Sequence, residues 1–146
     1  MMSLDMIMST DLVTVAPDDT LASVNALMHK NRIHHLPVVE QEDQLVGLVT
    51  LTDVLAATDS ILRDEESRLQ AEQIKVSDFM KRDLATIDER ASLRQAALFI
   101  EKHKIGCLPV VSDGKLIGIV TDTDFVGVAI NLLEQIEETE SFDEAI

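Results

Sequence analysis

The sequence predicts an α/β (α+β) fold made of two tandem β-α-β-β-α units that pack together with pseudo-twofold symmetry. The first observation is an internal repeat, in which Leu36-Pro37-Val38-Val39 recurs 72 positions later as Leu108-Pro109-Val110-Val111. The second is that residues 47–53 recur as residues 118–124 at an offset of 71, which gives the first hairpin loop one extra residue. The third is that strand-like and helix-like apolar patterns alternate at the same places in both copies.

Each copy is expected to begin with a short β-branched strand, at residues 12–15 in the first copy and 84–87 in the second. An amphipathic helix follows, because apolar residues recur at helical spacing from Leu21 and from Leu93. Two further apolar runs then predict a β-hairpin in each copy. The Asp113-Gly114 pair makes the second hairpin the stronger prediction, because glycine tolerates the positive φ of a tight turn.

After each hairpin the pattern returns to that of a helix, which completes the unit. A unit of roughly 60 residues is marginally stable alone, so we expect the two copies to pack together and form two equivalent clefts. The predicted organisation is a first copy at 1–62, a helical linker at 63–75, a second copy at 76–138 and an acidic tail at 139–146. Asp64 and Arg68 are spaced for an ion pair on the linker helix, and the chain after Glu134 is expected to fray.

The charge balance argues against nucleic-acid and membrane partners. The 146 residues include 12 Lys and Arg against 27 Asp and Glu, a formal net charge of -15 that repels phosphate backbones and anionic surfaces. A mononucleotide is not excluded, because it responds mainly to donors within a Debye length. Cys107 is the only cysteine, and the first twenty residues do not resemble a secretory signal, so a reducing, cytoplasmic location is expected.

A Thr-x-Thr-Asp motif lies where the second hairpin strand of each copy meets the following helix. The motif residues are Thr50, Thr52 and Asp53 in the first copy, and Thr121, Thr123 and Asp124 in the second. Helix N-termini present free N–H groups, so the hydroxyls are placed to bind phosphate and the carboxylates to accept ribose hydroxyls. The same spacing also fits a capping box that only stabilises the helix start, and the sequence leaves both interpretations open.

In combination these motifs resemble the cystathionine-β-synthase (CBS) domain family, whose tandem pairs form a disc called a Bateman module. The resemblance covers nearly the whole chain, and it rests on the Met-x-x-x-hydrophobic-x-Thr start, the isoleucines Ile33 and Ile105, Leu-Pro-Val-Val and Gly-(Leu/Ile)-Val-Thr-x-Thr-Asp. It implies a regulatory module that binds AMP, ADP, ATP or S-adenosylmethionine in two clefts between the copies. No other cofactor is required.

The resemblance also implies the residues of each site. It assigns ribose to the two motif aspartates and phosphate to the four motif threonines. It adds Thr10, Ile33, His34 and Cys107 to the Asp124 site, and Arg82, Ile105, Gly106 and His35 to the Asp53 site. The basic residues near these segments could neutralise a polyphosphate, or could simply be solvated at helix ends; they are Arg32, Lys81, Arg82 and Lys104. Asp122, where the first copy has Leu51, would weaken the second site if it points at phosphate.

Other chemistry finds less support in the sequence. The adjacent His34 and His35 lack a third metal ligand at suitable spacing, and no His and Asp arrangement supports Cys107 as a nucleophile, so neither a metal site nor an enzyme is expected. The alternative to a ligand sensor is an interaction module with vestigial pockets. The apolar band at 125–136 predicts a homodimer, and the regulatory output is expected to pass to an unidentified effector protein.

Overall fold

Each copy of the repeat forms an antiparallel hairpin flanked by two helices, which confirms the predicted fold class. The computed structural model describes residues 2–62 and 71–144, with side chains described up to residue 140. The helices are α1 (Leu21–Asn31), α2 (Leu51–Leu62), α3 (Val76–Phe79), α4 (Leu93–His103) and α5 (Asp122–Glu144). The strands are β1 (His35–Val39), β2 (Leu45–Thr50), β3 (Ile87–Asp88), β4 (Cys107–Ser112) and β5 (Lys115–Thr121), and 3-10 turns lie at Leu4–Met6 and Gln41–Asp43.

The two hairpins have equivalent registers, as the repeat predicts. β1 pairs with β2, and β4 pairs with β5, in antiparallel ladders. Both ladders shift register after the first residue that follows the proline, between Val38 and Val39 and between Val110 and Val111. The second turn has positive φ at both Asp113 and Gly114, the geometry that a two-residue hairpin favours.

The first strand of each unit is shorter than predicted. In the second copy only Ile87–Asp88 pairs with β4, and in the first copy Val15 makes a single parallel bridge to Val38. The rest of the predicted strands at 12–15 and 84–87 leaves the sheet, and the preceding residues instead border cavities between the copies. Residue periodicity predicts that a segment is extended. It does not predict how many of its residues pair with another strand, because that depends on the tertiary arrangement.

The helices begin and end at residues whose chemistry explains their positions. The Ser92 hydroxyl accepts a hydrogen bond from the Gln95 N–H at 3.1 Å, and the Gln95 side chain accepts one from the Ser92 N–H, which forms a capping box at the start of α4. α1 and α4 both end in a left-handed residue, Arg32 and Lys104, whose N–H bonds back to a carbonyl of the last turn.

Two cores form, and each is completed by a segment from the other copy. Leu4, near the start of the chain, is fully buried in the second core with Leu93 and Leu108. Val76, at the equivalent place of the second copy, is fully buried in the first core with Leu36. The ranges predicted for the copies, 1–62 and 76–138, therefore do not describe two self-contained cores.

The hairpins of the two copies meet in a third apolar cluster. Cys107, Leu116 and Ile119 from the second copy pack there against partly buried residues of the first, including Leu45 and Leu48. This shared cluster holds the copies together and places the ends of β2 and β5 next to the segments that cross between them.

The linker and the tail differ in part from expectation. Residues 71–75 form a turn and a bridge rather than helix, while the rest of the linker, including Asp64 and Arg68, lies outside the described residues. The residues after Glu134, which were expected to fray, belong to α5, which continues to Glu144.

Candidate functional site

The Thr-x-Thr-Asp corners form the capping boxes that the sequence allowed. The Thr50 N–H and hydroxyl both donate to Oδ2 of Asp53 at 2.9 Å, and the Asp53 N–H lies 3.3 Å from the Thr50 hydroxyl oxygen. In the second copy the Thr121 N–H donates to Oδ2 of Asp124 at 2.8 Å. The carboxylates thus tie each strand end to the first turn of the following helix, and they fix the threonine hydroxyls at the helix start.

A cleft opens above each corner, and residues from both copies line it. The first, which we call the Thr50 cleft, has a volume of about 310 Å³. It is lined by His35, Leu48, Thr50, Thr52, Lys81, Asp83, Leu84, Ala85, Lys104, Ile105, Gly106 and Cys107. The second, the Thr121 cleft, has a volume of about 480 Å³. It is lined by Ser9, Asp11, Leu12, Val13, Arg32, Ile33, His34, His35, Gly106, Ile119, Thr121, Asp122 and Thr123.

Most residues assigned to the clefts by resemblance do line them. The four motif threonines, Ile33 and His34 lie on the expected walls, as do Ile105, Gly106 and His35. His35 and Gly106 border both clefts, so the two cavities share a wall. Asp53 and Asp124 are not on the lining surface, since they lie behind the threonines in the caps, and their contact with ribose stays a prediction.

Three assignments differ from the structure. Cys107 lines the Thr50 cleft rather than the cleft of Asp124 to which it was assigned. Thr10 and Arg82 are absent from both lining surfaces, although their chain neighbours are present. The reason is that both lie on extended segments, where successive side chains point in opposite directions, so their chain neighbours face the clefts in their place.

Arg82 has another partner. Its guanidinium donates to the Ser77 carbonyl at 2.8 Å, which turns the side chain toward α3. Lys81 instead faces the Thr50 cleft, and its Nζ lies 3.9 Å from Oδ1 of Asp53. The side chain of Asp53 is only 16% exposed, whereas that of Lys81 is 56% exposed, so the ammonium is the accessible member of the pair.

Several lining residues were missed by the sequence analysis, chiefly Ser9, Asp11 and Asp83. The signal was present in the repeat, because an offset of 72 aligns Asp11 with Asp83 and Ser9 with Lys81. Main-chain bridges from Ser9 to Ile119 and from Lys81 to Leu48 hold these crossing segments against the opposite hairpin. The two interpretations of Arg32 and Lys104 are compatible, since both residues end helices and both line clefts.

The shared wall contains two groups with shifted pKa values. Burial lowers the pKa of His35, the neighbouring His34 and Lys81 lower it further, and Asp122 opposes the shift. Burial raises the pKa of the Cys107 thiol to about 12, with additional contributions from Asp122 and the second motif aspartate. The thiol is therefore protonated at neutral pH, which does not suit a nucleophile.

The described part of the chain holds neither a metal-binding cluster nor a membrane-spanning helix. Residues 2–62 and 71–144 contain no cluster of three or more His, Cys, Asp or Glu side chains arranged to hold a metal ion. Within the same ranges, no helix combines the length and apolarity needed to cross a bilayer.

Comparison with known proteins identifies both copies. The family model for the CBS domain matches residues 4–60 and 76–131. A CBS domain-containing protein of Dictyostelium discoideum is 36% identical over 134 residues, which cover 89% of this chain and 92% of that protein. The inosine-5'-monophosphate dehydrogenase of Mycobacterium tuberculosis is 39% identical over 122 residues, but this chain spans only 21% of the enzyme's length.

Solved structures agree with the family model. An acetoin utilization protein (AcuB) of Vibrio cholerae is 38% identical with a TM-score of 0.80, covering 94% of this chain and 97% of that one. CBSX2 in complex with AMP is 28% identical with a TM-score of 0.76, covering 90% of this chain and 98% of its own. The CBS domain pair of MJ0100, in complex with 5'-methylthioadenosine and S-adenosyl-L-methionine, is 25% identical with a TM-score of 0.73, covering 88% and 96%. This chain belongs to the CBS domain family and carries a tandem pair of CBS domains, a Bateman module.

Proposed function

We propose that the protein is a regulatory module that binds adenosyl ligands in its two clefts and has no catalytic activity of its own. The observation that carries this proposal is the pair of clefts, each bordered by both copies and each with two threonines at the N-terminus of a helix. Such a corner offers hydroxyl and backbone donors together with a favourable helix dipole. The complexes of CBSX2 with AMP and of MJ0100 with adenosyl compounds support this choice of ligand class.

Capping and ligand binding are compatible uses of the same carboxylate. Oδ2 of Asp53 is occupied by the cap, whereas Oδ1 points toward Lys81 at 3.9 Å. An ionised carboxylate has about four lone-pair sites, so Oδ1 can still accept a ribose hydroxyl. We assign the equivalent role to Asp124, and we place the 5' substituent of the ligand beside the threonines at each helix start. Apolar lining residues such as Leu84 and Ile105 would then enclose the adenine.

Regulation would follow from the position of the clefts between the copies. A ligand shifts a conformational balance only through a difference in its affinity for the two arrangements. Because each cleft is bordered by both copies, its ligand contacts depend on how the copies are placed relative to each other. Since His35 and Gly106 belong to both linings, binding in one cleft would also affect the other. A separate effector protein in the cytoplasm would receive the signal.

We further propose a homodimer formed through α2 and α5. Val126, Ile130 and Leu133 are each at least half exposed and recur at helical spacing along α5, and Leu55 on α2 is 60% exposed. A second copy presents the same apolar face, so it would cover these residues symmetrically. Sedimentation of the wild type and of Ile130→Glu tests the interface. A monomeric wild type at micromolar concentration, with and without ligand, would contradict it.

The capping geometry also favours the alternative that the corners only stabilise helices in an interaction module. Thermal denaturation with AMP, ADP, ATP and S-adenosylmethionine separates the two functions. Ligand at 100 times its dissociation constant should add about 2.7 kcal/mol of stability. Asp53→Ala and Asp124→Ala should each lower the baseline by about 1 kcal/mol and also reduce this ligand-dependent increment.

The matched control is Ser92→Ala, which removes the α4 cap at a residue outside both cleft linings. It should lower the baseline similarly and leave the ligand-dependent increment intact. No stabilisation of the wild type by any of the four ligands would favour the interaction module.

A further inference from the structure

The two clefts are built from positions that correspond in the repeat. Several of these pairs keep their chemistry, and three of them are polar or charged: a threonine at the helix start, an aspartate on the crossing segment and a basic residue at a helix end. The pairs are Thr50 and Thr121, Asp83 and Asp11, and Lys104 and Arg32. A ligand would therefore meet a similar framework in either cleft, and any difference in preference must come from the remaining positions.

Two of those positions change the charge. Lys81 lines the Thr50 cleft, whereas its equivalent in the Thr121 cleft is Ser9. Asp122 lines the Thr121 cleft, whereas its equivalent Leu51 packs against the first core and is absent from the lining of the Thr50 cleft. The Thr50 cleft thus has an additional cationic side chain, and the Thr121 cleft has an additional anionic one.

The carboxylate of Asp122 is held at the cleft by its surroundings. Oδ1 accepts a hydrogen bond from the Thr123 N–H at 2.8 Å. Oδ2 lies 3.5 Å from the point that a Cβ on Gly106 would occupy, an ordinary van der Waals distance, so the carboxylate lies against the wall that the two clefts share. In the other copy this wall position is His34. The carboxylate is therefore fixed beside the threonine hydroxyls of the second helix start.

The lining charges have opposite sign when the histidines are neutral. The Thr50 cleft has Lys81 and Lys104 against Asp83, a balance of one positive charge. The Thr121 cleft has Arg32 against two aspartates, Asp11 and Asp122, a balance of one negative charge. The capping aspartate behind the threonines adds one further negative charge to each site, so the difference between the two clefts stays at two charges. A unit charge a few ångströms from a ligand in a partly enclosed site changes its affinity by roughly tenfold, less at high salt. The difference of two charges is large enough to separate ligands.

On the basis of the adenosyl binding proposed above, we propose that the two clefts divide their ligands by charge. The Thr50 cleft takes an adenosine 5'-phosphate. The Thr121 cleft takes an adenosyl compound that has no phosphate and whose 5' substituent is neutral or cationic. Phosphate oxygens at Thr121 would face the Asp122 carboxylate, whereas a sulfonium group there would be attracted to it. In the Thr50 cleft the ammonium of Lys81 would attract phosphate oxygens and repel a sulfonium group.

Titration calorimetry on the full chain tests this division, with ADP and S-adenosylmethionine as the probes. The titrations are run at pH 8, where His35 is neutral because burial lowers its pKa, so this residue adds no charge to the wall that the clefts share. We expect one ADP per chain, and we expect S-adenosylmethionine to bind in saturating ADP with little loss of affinity. Raising the salt concentration to about 0.5 M should narrow the difference in ADP affinity between the clefts.

Exchange of the equivalent residues gives the sharper test. Lys81→Ser should weaken ADP roughly tenfold and leave S-adenosylmethionine unchanged, while Asp122→Asn should weaken S-adenosylmethionine by a similar factor. Ser9→Lys combined with Asp122→Asn should create a second ADP site. The side chains of all three residues are exposed, so the fold should tolerate these changes. Matched charge controls outside both linings are Lys115→Ser and Asp113→Asn, and neither should alter binding.

The outcomes separate this inference from the proposed function. Two ADP molecules bound with equal affinity would overturn the division by charge, although the module would still bind adenosyl ligands. The division by charge would also be overturned if the two probes competed for one site. The same conclusion would follow if the cleft variants bound both probes as the control variants do. Failure of both probes to bind would overturn the proposed function, and the division by charge with it.

Discussion

The crossing segments pass so close to the hairpins that a single methyl group should disturb them. A Cβ built on Gly47 would lie 2.5 Å from the Met80 sulfur and 3.2 Å from the Lys81 carbonyl oxygen. The sulfur belongs to a flexible side chain, but the carbonyl is fixed, because it accepts from the Leu48 N–H at 3.0 Å while the Lys81 N–H donates to the Leu48 carbonyl at 2.8 Å. Relief of the clash therefore has to strain this pair.

We expect Gly47→Ala to reduce the free energy of unfolding by about 2 kcal/mol, within the range measured for overpacked cores. For a chain of this length, the melting temperature should fall by about 6 °C. Met80→Ala alone should cost about 2 to 4 kcal/mol, since its side chain is buried. In the double variant the new methyl group enters the space that Met80 vacates. The double variant should therefore lose about 1 to 2 kcal/mol less stability than the sum of the two single losses.

Urea denaturation of the four proteins in this cycle measures the coupling, with the slope checked for two-state behaviour. The control is Gly127→Ala on α5, where no atom lies within 4 Å of the added methyl group. Alanine there should stabilise the helix by up to about 1 kcal/mol. If Gly47→Ala proved as harmless as the control, or additive with Met80→Ala, the close approach of the crossing segment would be refuted.

Three further predictions follow from individual groups. Ser92→Ala breaks the capping box with Gln95 and should lower stability by about 1 kcal/mol, measured by urea denaturation. The Cys107 thiol, with its pKa raised to about 12, should resist iodoacetamide at pH 8 in the folded protein and react once the protein unfolds; rapid native labelling would contradict this. The pKa of His35 is lowered in the folded protein, so as the pH falls below about 6.5 the unfolded state takes up the proton first. The free energy of unfolding should therefore decrease below this pH, and His35→Asn should make its dependence on pH less steep.

The architecture could be read from the sequence because its signals are local and occur twice. Helical spacing from Leu21 and Leu93 predicted α1 and α4, and the Asp113-Gly114 turn predicted the second hairpin. The Thr-x-Thr-Asp motif placed both functional corners at helix starts, which the structure confirms as capping boxes. A repeat gives each local inference an independent check, so errors in one copy are exposed by the other.

The composition of the clefts was less accessible to sequence reasoning. The sequence analysis assigned Arg82 and Thr10 to the clefts, whereas the structure places their chain neighbours on the cleft walls. Which side chains of an extended segment face a cleft depends on how that segment pairs with a distant strand. The short pairing of the first strands has the same origin. In each case the conformation was local, but the partner lay more than 20 positions away in the chain.

The sequence by itself determined that two α/β units recur, where their helices and hairpins lie, and which corners offer hydroxyls and carboxylates. Only the tertiary structure decided that Leu4 and Val76 complete the opposite cores, that His35 borders both clefts, and that Lys81 and Asp122 give those clefts opposite charge. The physical reason is that hydrogen-bond patterns and side-chain periodicity are properties of adjacent residues. Burial and cleft charge, in contrast, arise from long-range packing between the copies.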